Sequence, residues 1–100
     1  MELKDKVVVI TGGGQGLGRQ MALRLAAKGA KLALIDLNQE KLDETVGLVA
    51  EAGSEAKSYI ANVADEAQVE STFAQIADNF GRIDGLVNNA GITRDGLFIK

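Results

Sequence analysis

Cysteine and histidine are both absent from this sequence, and so are proline and tryptophan. Without cysteine there is no disulfide framework, no thiol nucleophile and no thiolate metal ligand. Without histidine, a serine triad loses its usual base and zinc loses its commonest ligand. Aromatic residues make up only 4% of the chain. The single tyrosine, Tyr59, is followed at the fourth position by Val63, so no Tyr-x-x-x-Lys pair exists. Ser54, Ser58 and Ser71 have no histidine, and no lysine arranged to activate them. Asp65 reads as a helix cap and Asp84 as a solvated strand edge rather than as a metal pair. No catalytic residue and no metal site is expected in this stretch of chain.

Basic charge is also short: 11 lysines and arginines stand against 14 acidic residues, for a net charge of −3. The basic residues are scattered and form no run. A nucleic acid or an anionic membrane would meet no positive field here, so neither is expected as a partner. No apolar stretch approaches the ~20 residues needed to span a bilayer. The N-terminal apolar run is too short for a secretory signal. A cytoplasmic location is the expectation.

What is present is ordinary globular material, 46% hydrophobic and 25% charged, and enough for one domain. Val7-Val8-Val9-Ile10 is a β-branched run closed by glycines, the pattern of a strand buried on both faces. A helix follows, with Leu17, Met21 and Leu25 on one stripe widened by Ala22 and Ala26, and Gly29 at its end. Leu32-Ala33-Leu34-Ile35 reads as a second buried strand ending at Asp36. Asn38 is the expected N-cap of a second helix with Leu42, Val46, Val49 and Ala50 inward, interrupted by Gly47 and closed by Gly53. A third strand is expected over Ala56 to Ala61. Asp65 and Gln68 fit a capping box for a third helix whose stripe is Val69, Phe73, Ile76, Ala77 and Phe80. Ile83 to Asn88 reads as a fourth strand, and Ala90 to Lys100 as loop.

Strand–helix alternation of this kind calls for an α/β fold with parallel strands and right-handed crossovers. The expected arrangement is a Rossmann-type doubly wound sheet in the order 3-2-1-4. Its crevice opens where the order reverses, between the first and fourth strands. The glycine cluster and Asn88-Asn89 both land there.

The glycine loop runs Thr11-Gly12-Gly13-Gly14-Gln15-Gly16-Leu17-Gly18. It is not G-x-G-x-x-G, because Leu17 stands where the third glycine belongs. Nor is it a Walker A loop, since Arg19 and Gln20 occupy the places of Lys and Ser/Thr. It fits T-G-x-x-x-G-x-G, in which glycines let backbone approach a pyrophosphate at a helix N-terminus. Asp36 ends the second strand, where a carboxylate accepts hydrogen bonds from ribose hydroxyls and repels a 2′-phosphate. Neither Gln15 nor Leu37 is a cation that would reverse that choice. Alternatively, Asp36 merely supports the cap of the next helix. With the glycine loop beside it, the ribose role is favoured, and NAD(H) is expected over NADP(H).

These two signatures, Thr11-Gly12-x-x-x-Gly16-x-Gly18 and Asn88-Asn89-Ala90-Gly91, resemble those of the short-chain dehydrogenase/reductase family. The resemblance covers the whole chain. It implies that Gly12, Gly14, Gln15, Gly16, Leu17 and Gly18 cradle the dinucleotide pyrophosphate. It implies that Asp36 and Leu37 hold the adenine ribose and that Asn62 and Val63 lie along the adenine; many relatives carry Asp where this chain has Asn62. It further implies that Asn89, Ala90 and Gly91 pass beneath the nicotinamide ribose while Thr11 and Asn88 brace their strands. The family's catalytic Ser and Tyr-x-x-x-Lys fall later than Lys100, so residues 1–100 are expected to be the N-terminal part of a single dinucleotide-binding domain.

The stretch Asn89 to Leu97 is similar to that of 3-oxoacyl-acyl-carrier-protein reductases and acetoacetyl-CoA reductases. That branch implies a 3-oxoacyl thioester substrate, acyl carrier protein as a partner, a place in fatty acid biosynthesis and a homotetramer. It also usually takes NADPH, and Asp36 departs from that habit. The other reading is a non-catalytic nucleotide-binding module complete at 100 residues.

Overall fold

The computed structural model describes residues 2–89 and the strand at 97–99. Its elements are β1 (Val7–Thr11), α1 (Gly16–Ala27), β2 (Lys31–Asp36), α2 (Gln39–Glu51), β3 (Ala56–Ile60), α3 (Glu66–Phe80), β4 (Gly85–Asn88) and β5 (Leu97–Ile99). The sheet order is β3-β2-β1-β4-β5. The first four strands run parallel, with Val8 opposite Leu32 on one side and Ile10 opposite Val87 on the other. The expected 3-2-1-4 order is therefore present.

Alternation along the strands divides the core in two. Val8, Ile10, Leu32 and Leu34 point to one face, where Ala22, Ala26, Leu42 and Val49 of α1 and α2 cover them. Val9, Ala33, Ile35 and Tyr59 point to the other, against Ile76 of α3. All five residues of β1 are buried, because both faces of the central strand are covered by helices.

Three expectations are corrected. The segment read as loop contains β5, which pairs antiparallel with β4, Leu86 opposite Phe98. Three residues are too few to display a period, so only the pairing reveals this strand. The fourth strand begins at Gly85, because Asp84 is spent otherwise: its Oδ2 accepts the Val7 N–H at 2.8 Å. The expected inward stripes hold in the main, with Met21, Leu25, Val46, Phe73 and Phe80 packed against the core as partly buried residues, but Leu17, Ala50 and Ala77 are exposed. In α1 the buried residues are Gly18, Ala22 and Ala26, while Leu17 is half exposed. The helix starts so close to the end of β1 that a Cβ at Gly18 would run into the Gly12 carbonyl. In α2 the buried set is Leu42, Thr45 and Val49, with Ala50 exposed, and in α3 it is Thr72 and Ile76, with Ala77 exposed.

The helix caps agree with the spacing rules. Asn38 accepts the Lys41 N–H at 3.0 Å, and Asp65 accepts the Gln68 N–H at 3.2 Å. The Gln68 amide reaches back to Asp65 Oδ2 and accepts the Asn62 N–H, which ties α3 to the end of β3. Among the described residues no helix is long and apolar enough to cross a membrane.

Candidate functional site

The C-terminal ends of β1, β2 and β4 meet at the point where the strand order reverses. The glycine loop leaves β1 there. Gly12 and Gly13 both donate to the Ile35 carbonyl, at 2.7 and 3.2 Å, so the loop stays against the end of β2. Gly12 and Gly16 have φ of 69° and 59°, a region closed to most side chains. At Gly18 a Cβ would run into the Gly12 carbonyl and come within 2.9 Å of the Asn89 amide. The loop and the first turn of α1 are in direct contact, and only hydrogen fits between them.

That first turn is left open for an anion. The N-cap residue Gln15 makes no capping hydrogen bond through its side chain, and no acidic residue stands in the turn. The free N–H groups and the positive end of the helix dipole therefore face the crevice. Gln15, Gly16 and Leu17 are exposed around them.

Asp36 closes the opposite wall. Its Oδ2 accepts the Gly14 N–H at 3.0 Å, and its Oδ1 accepts the Leu37 N–H at 2.7 Å. The α2 cap is supplied by Asn38, whose own N–H donates to Asp36 Oδ1 at 3.4 Å, so Asp36 does assist that cap while its Oδ2 stays on the glycine loop. Asp36, Leu37, Asn62 and Val63 line one cavity of about 150 Å³ together with Gly12 and Ala61. Leu37 and Val63 are exposed, apolar surface of the kind that takes a flat ring. The Asn62 carboxamide accepts the Ala64 N–H at 2.9 Å, which holds the turn after β3.

On the β4 side, Thr11 Oγ1 donates to Asn88 Oδ1 at 3.1 Å, and Asn89 Nδ2 donates to the Gly12 carbonyl at 3.2 Å. The two asparagines thus join the ends of β1 and β4 and hold the loop from below. Ala90 and Gly91, the remaining candidates, lie outside the described residues. A larger cavity of about 290 Å³ opens between α3 and the sheet, lined by Val69, Phe73 and Leu86 among others. Tyr59 lies away from the crevice, its hydroxyl accepting from Asn79 at 2.8 Å.

Two residues at the site escaped the sequence reading. Arg19 donates through Nη2 to the Gly14 carbonyl at 2.6 Å and through Nε to Thr45 Oγ1 at 2.9 Å. Thr45 is fully buried and its hydroxyl lies 3.0 Å from the same carbonyl. Arg19 also pairs with Glu44 at 2.9 Å. That hydrogen bond, with the Lys41 charge nearby, holds the Glu44 carboxyl below the ordinary carboxylate range. A threonine one turn from Leu42 on an apolar stripe was the available signal.

A family model for short chain dehydrogenase matches residues 6–100. Levodione reductase of Leifsonia aquatica is 52% identical over 90 residues, covering 88% of this chain and 34% of that reductase. The 3-oxoacyl-acyl-carrier-protein reductase FabG of Thermotoga maritima is 38% identical over 100 residues, which span all of this chain and 41% of that enzyme. A crystal structure of NAD+-bound xylitol dehydrogenase superposes with a TM-score of 0.87 at 42% identity, covering 91% of this chain and 35% of that one. The chain thus spans between about a third and two-fifths of the length of these relatives. With its glycine loop, its paired asparagines and its strand order all in the places this likeness requires, the chain belongs to the short-chain dehydrogenase family.

Proposed function

We propose that this chain forms the cofactor-binding part of an oxidoreductase that moves a hydride between NAD(H) and a carbonyl or alcohol. The observation that carries it is the crevice wall itself: an uncapped helix N-terminus behind a glycine loop, facing a fixed carboxylate at the end of β2. The fit is steric as well as electrostatic. The contact of Gly18 with Gly12 leaves no room for a Cβ, so backbone N–H groups are what the loop presents to a ligand. When bound, a nicotinamide dinucleotide supplies the hydride acceptor or donor.

Gly12 to Gly18 would hold its pyrophosphate, Asp36 and Leu37 its adenine ribose, and Asn62 and Val63 its adenine. Asn89, with Ala90 and Gly91, would support the nicotinamide end. Asp36 favours NAD(H). Against a 2′-phosphate of charge near −2, a carboxylate about 4 Å away costs several kcal/mol at an effective dielectric of about 20, before solvent relief. A net 2–3 kcal/mol corresponds to a preference of roughly 30- to 150-fold. An NAD+-bound relative supports the same choice.

The proposed substrate is a 3-oxoacyl thioester, supported by the FabG relative and by the Asn89 to Leu97 stretch. Acyl carrier protein as a partner, a cytoplasmic tetramer and a role in fatty acid biosynthesis belong to this proposal. A second reading, reduction of levodione, is favoured by the 52% identity to levodione reductase. The test is kcat/KM of the full-length protein with NADH and NADPH, on acetoacetyl-CoA and on levodione. Turnover with NADH is expected, and Asp36→Ala combined with Leu37→Arg should move preference toward NADPH by about tenfold or more, removing a repulsion and adding a phosphate partner. A wild type that prefers NADPH, or a double variant with an unchanged ratio, refutes the ribose role of Asp36.

A further inference from the structure

Gly14 lies between two sets of contacts. Its N–H donates to Asp36 Oδ2, and its carbonyl accepts from both Arg19 Nη2 and the Thr45 hydroxyl. Both of its backbone polar atoms are thereby held, which fixes the residue against rotation of the loop. A Cβ at this position would lie 2.8 Å from Asp36 Oδ2 and 3.0 Å from Lys41 Cβ, so the space around it is closed as well. The second Asp36 oxygen is held by the N–H groups of Leu37 and Asn38, at 2.7 and 3.4 Å. The carboxylate is therefore clamped at each oxygen, and one half of that clamp depends on where Gly14 stands.

The anchor behind Gly14 is on α2. Thr45 is fully buried, accepts from Arg19 Nε at 2.9 Å and lies 3.2 Å from the Lys41 carbonyl. Arg19 shares its Nη2 protons among the carbonyls of Gly14 and Lys41 and the carboxylate of Glu44. A planar, multiply donating guanidinium can tie a loop, a helix end and a carboxylate together; an ammonium, as a point charge, cannot.

We propose that Arg19 and Thr45 are positioning residues for the adenosine end of a dinucleotide: by gripping Gly14 they fix the Asp36 carboxylate, and through it they set the discrimination between a free 2′-hydroxyl and a 2′-phosphate. The inference rests on the NAD(H) reading above. Its physical content is that a clamped carboxylate cannot swing aside to relieve repulsion. Loosening the clamp penalises NAD+, whose ribose loses a directed acceptor, and spares NADP+, whose phosphate gains room. The two changes act on the selectivity ratio in the same direction.

The test is equilibrium binding of NAD+ and of NADP+ to the full-length protein by calorimetry, for wild type, Arg19→Met, Thr45→Val and Thr45→Ser. The wild type should prefer NAD+. Arg19→Met and Thr45→Val should narrow the ratio of the two affinities by about fivefold, the scale of one lost hydrogen bond. Thr45→Ser keeps the hydroxyl and should keep the ratio. A purely structural role would lower both affinities together, or only the melting temperature, and would leave the ratio where it was; that result overturns the proposal. If Arg19→Met fails to fold, the near-isosteric Thr45→Val decides alone. A wild type that binds neither dinucleotide, or prefers NADP+, refutes the underlying reading, whereas a wild type that prefers NAD+ with a ratio unchanged in both variants refutes only this inference.

Discussion

The two rims of the sheet are built from the same chain by opposite means. At the N-terminal rim, backbone groups are consumed in tight turns. α1 ends with Gly29 donating to the Ala26 carbonyl and Ala30 to that of Leu25, and α2 ends with the same pattern at Gly53 and Ser54. Asp84 ties the approach of β4 to the start of β1 through the Val7 N–H, and pairs with Arg82 at 2.7 Å. At the C-terminal rim the chain leaves α1 uncapped and spends its side chains, Asp36, Asn89, Thr45 and Arg19, on holding the glycine loop open. One rim closes the fold and the other presents N–H groups to a ligand. The physical cause is the direction of parallel strands: every β-to-α turn falls at their C-terminal ends and puts a helix N-terminus there.

This division can be broken at either rim. The largest expected effect is that of Gly18→Ala. The added Cβ collides with the Gly12 carbonyl, so loop and helix must separate, and NAD+ affinity measured by calorimetry should fall at least about 100-fold, the scale of a 3 kcal/mol misfit. Binding at wild-type strength would show that the loop is not the cradle.

Asp84→Ala sharpens the contrast from the other rim. Donation from Arg82 and from the Val7 N–H holds the Asp84 carboxyl below its ordinary range. A carboxylate whose pKa is depressed on folding stabilises the fold above its unfolded value, near pH 4, and that contribution is lost as pH falls through the lower folded value. Asp84→Ala should therefore cost about 1 kcal/mol at pH 7, with the gap to wild type narrowing in strong acid and NAD+ affinity unchanged. Urea melts at pH 7 and pH 3 measure it. An equal gap at both values would remove Asp84 from the acid response.

The smallest effect is expected at Gly47, on the exposed side of α2, where a Cβ would meet nothing within 4 Å. Gly47→Ala should stabilise the protein by up to about 1 kcal/mol, from helix propensity alone, without touching cofactor affinity. A change in the NAD+ to NADP+ ratio would reveal that α2 transmits strain to Asp36.

Local spacing was enough for the strand-and-helix alternation, the caps at Asn38 and Asp65 and the glycine loop, because each depends on neighbours within a few residues, and the alternation with right-handed crossovers then gave the parallel order of the first four strands. The same short-range logic placed Asp36 at the end of β2, since a buried apolar run must end where polar chain begins. It failed where contacts come from far along the chain. Leu17 has the period of a buried stripe, but it stands exposed while Met21, Ala22, Leu25 and Ala26 of the same stripe pack inward. Leu97 to Ile99 becomes a strand only because β4 offers it an edge. Thr45 lies 26 residues from Arg19 and 31 from Gly14, and only the packing of α1 beside α2 makes the three one hydrogen-bonded unit behind Asp36. Sequence by itself determined which chemistry sits at the crevice, because residue type and local turn geometry suffice for that. Tertiary structure decided how tightly that chemistry is held, because the holding groups are brought together only when the helices dock.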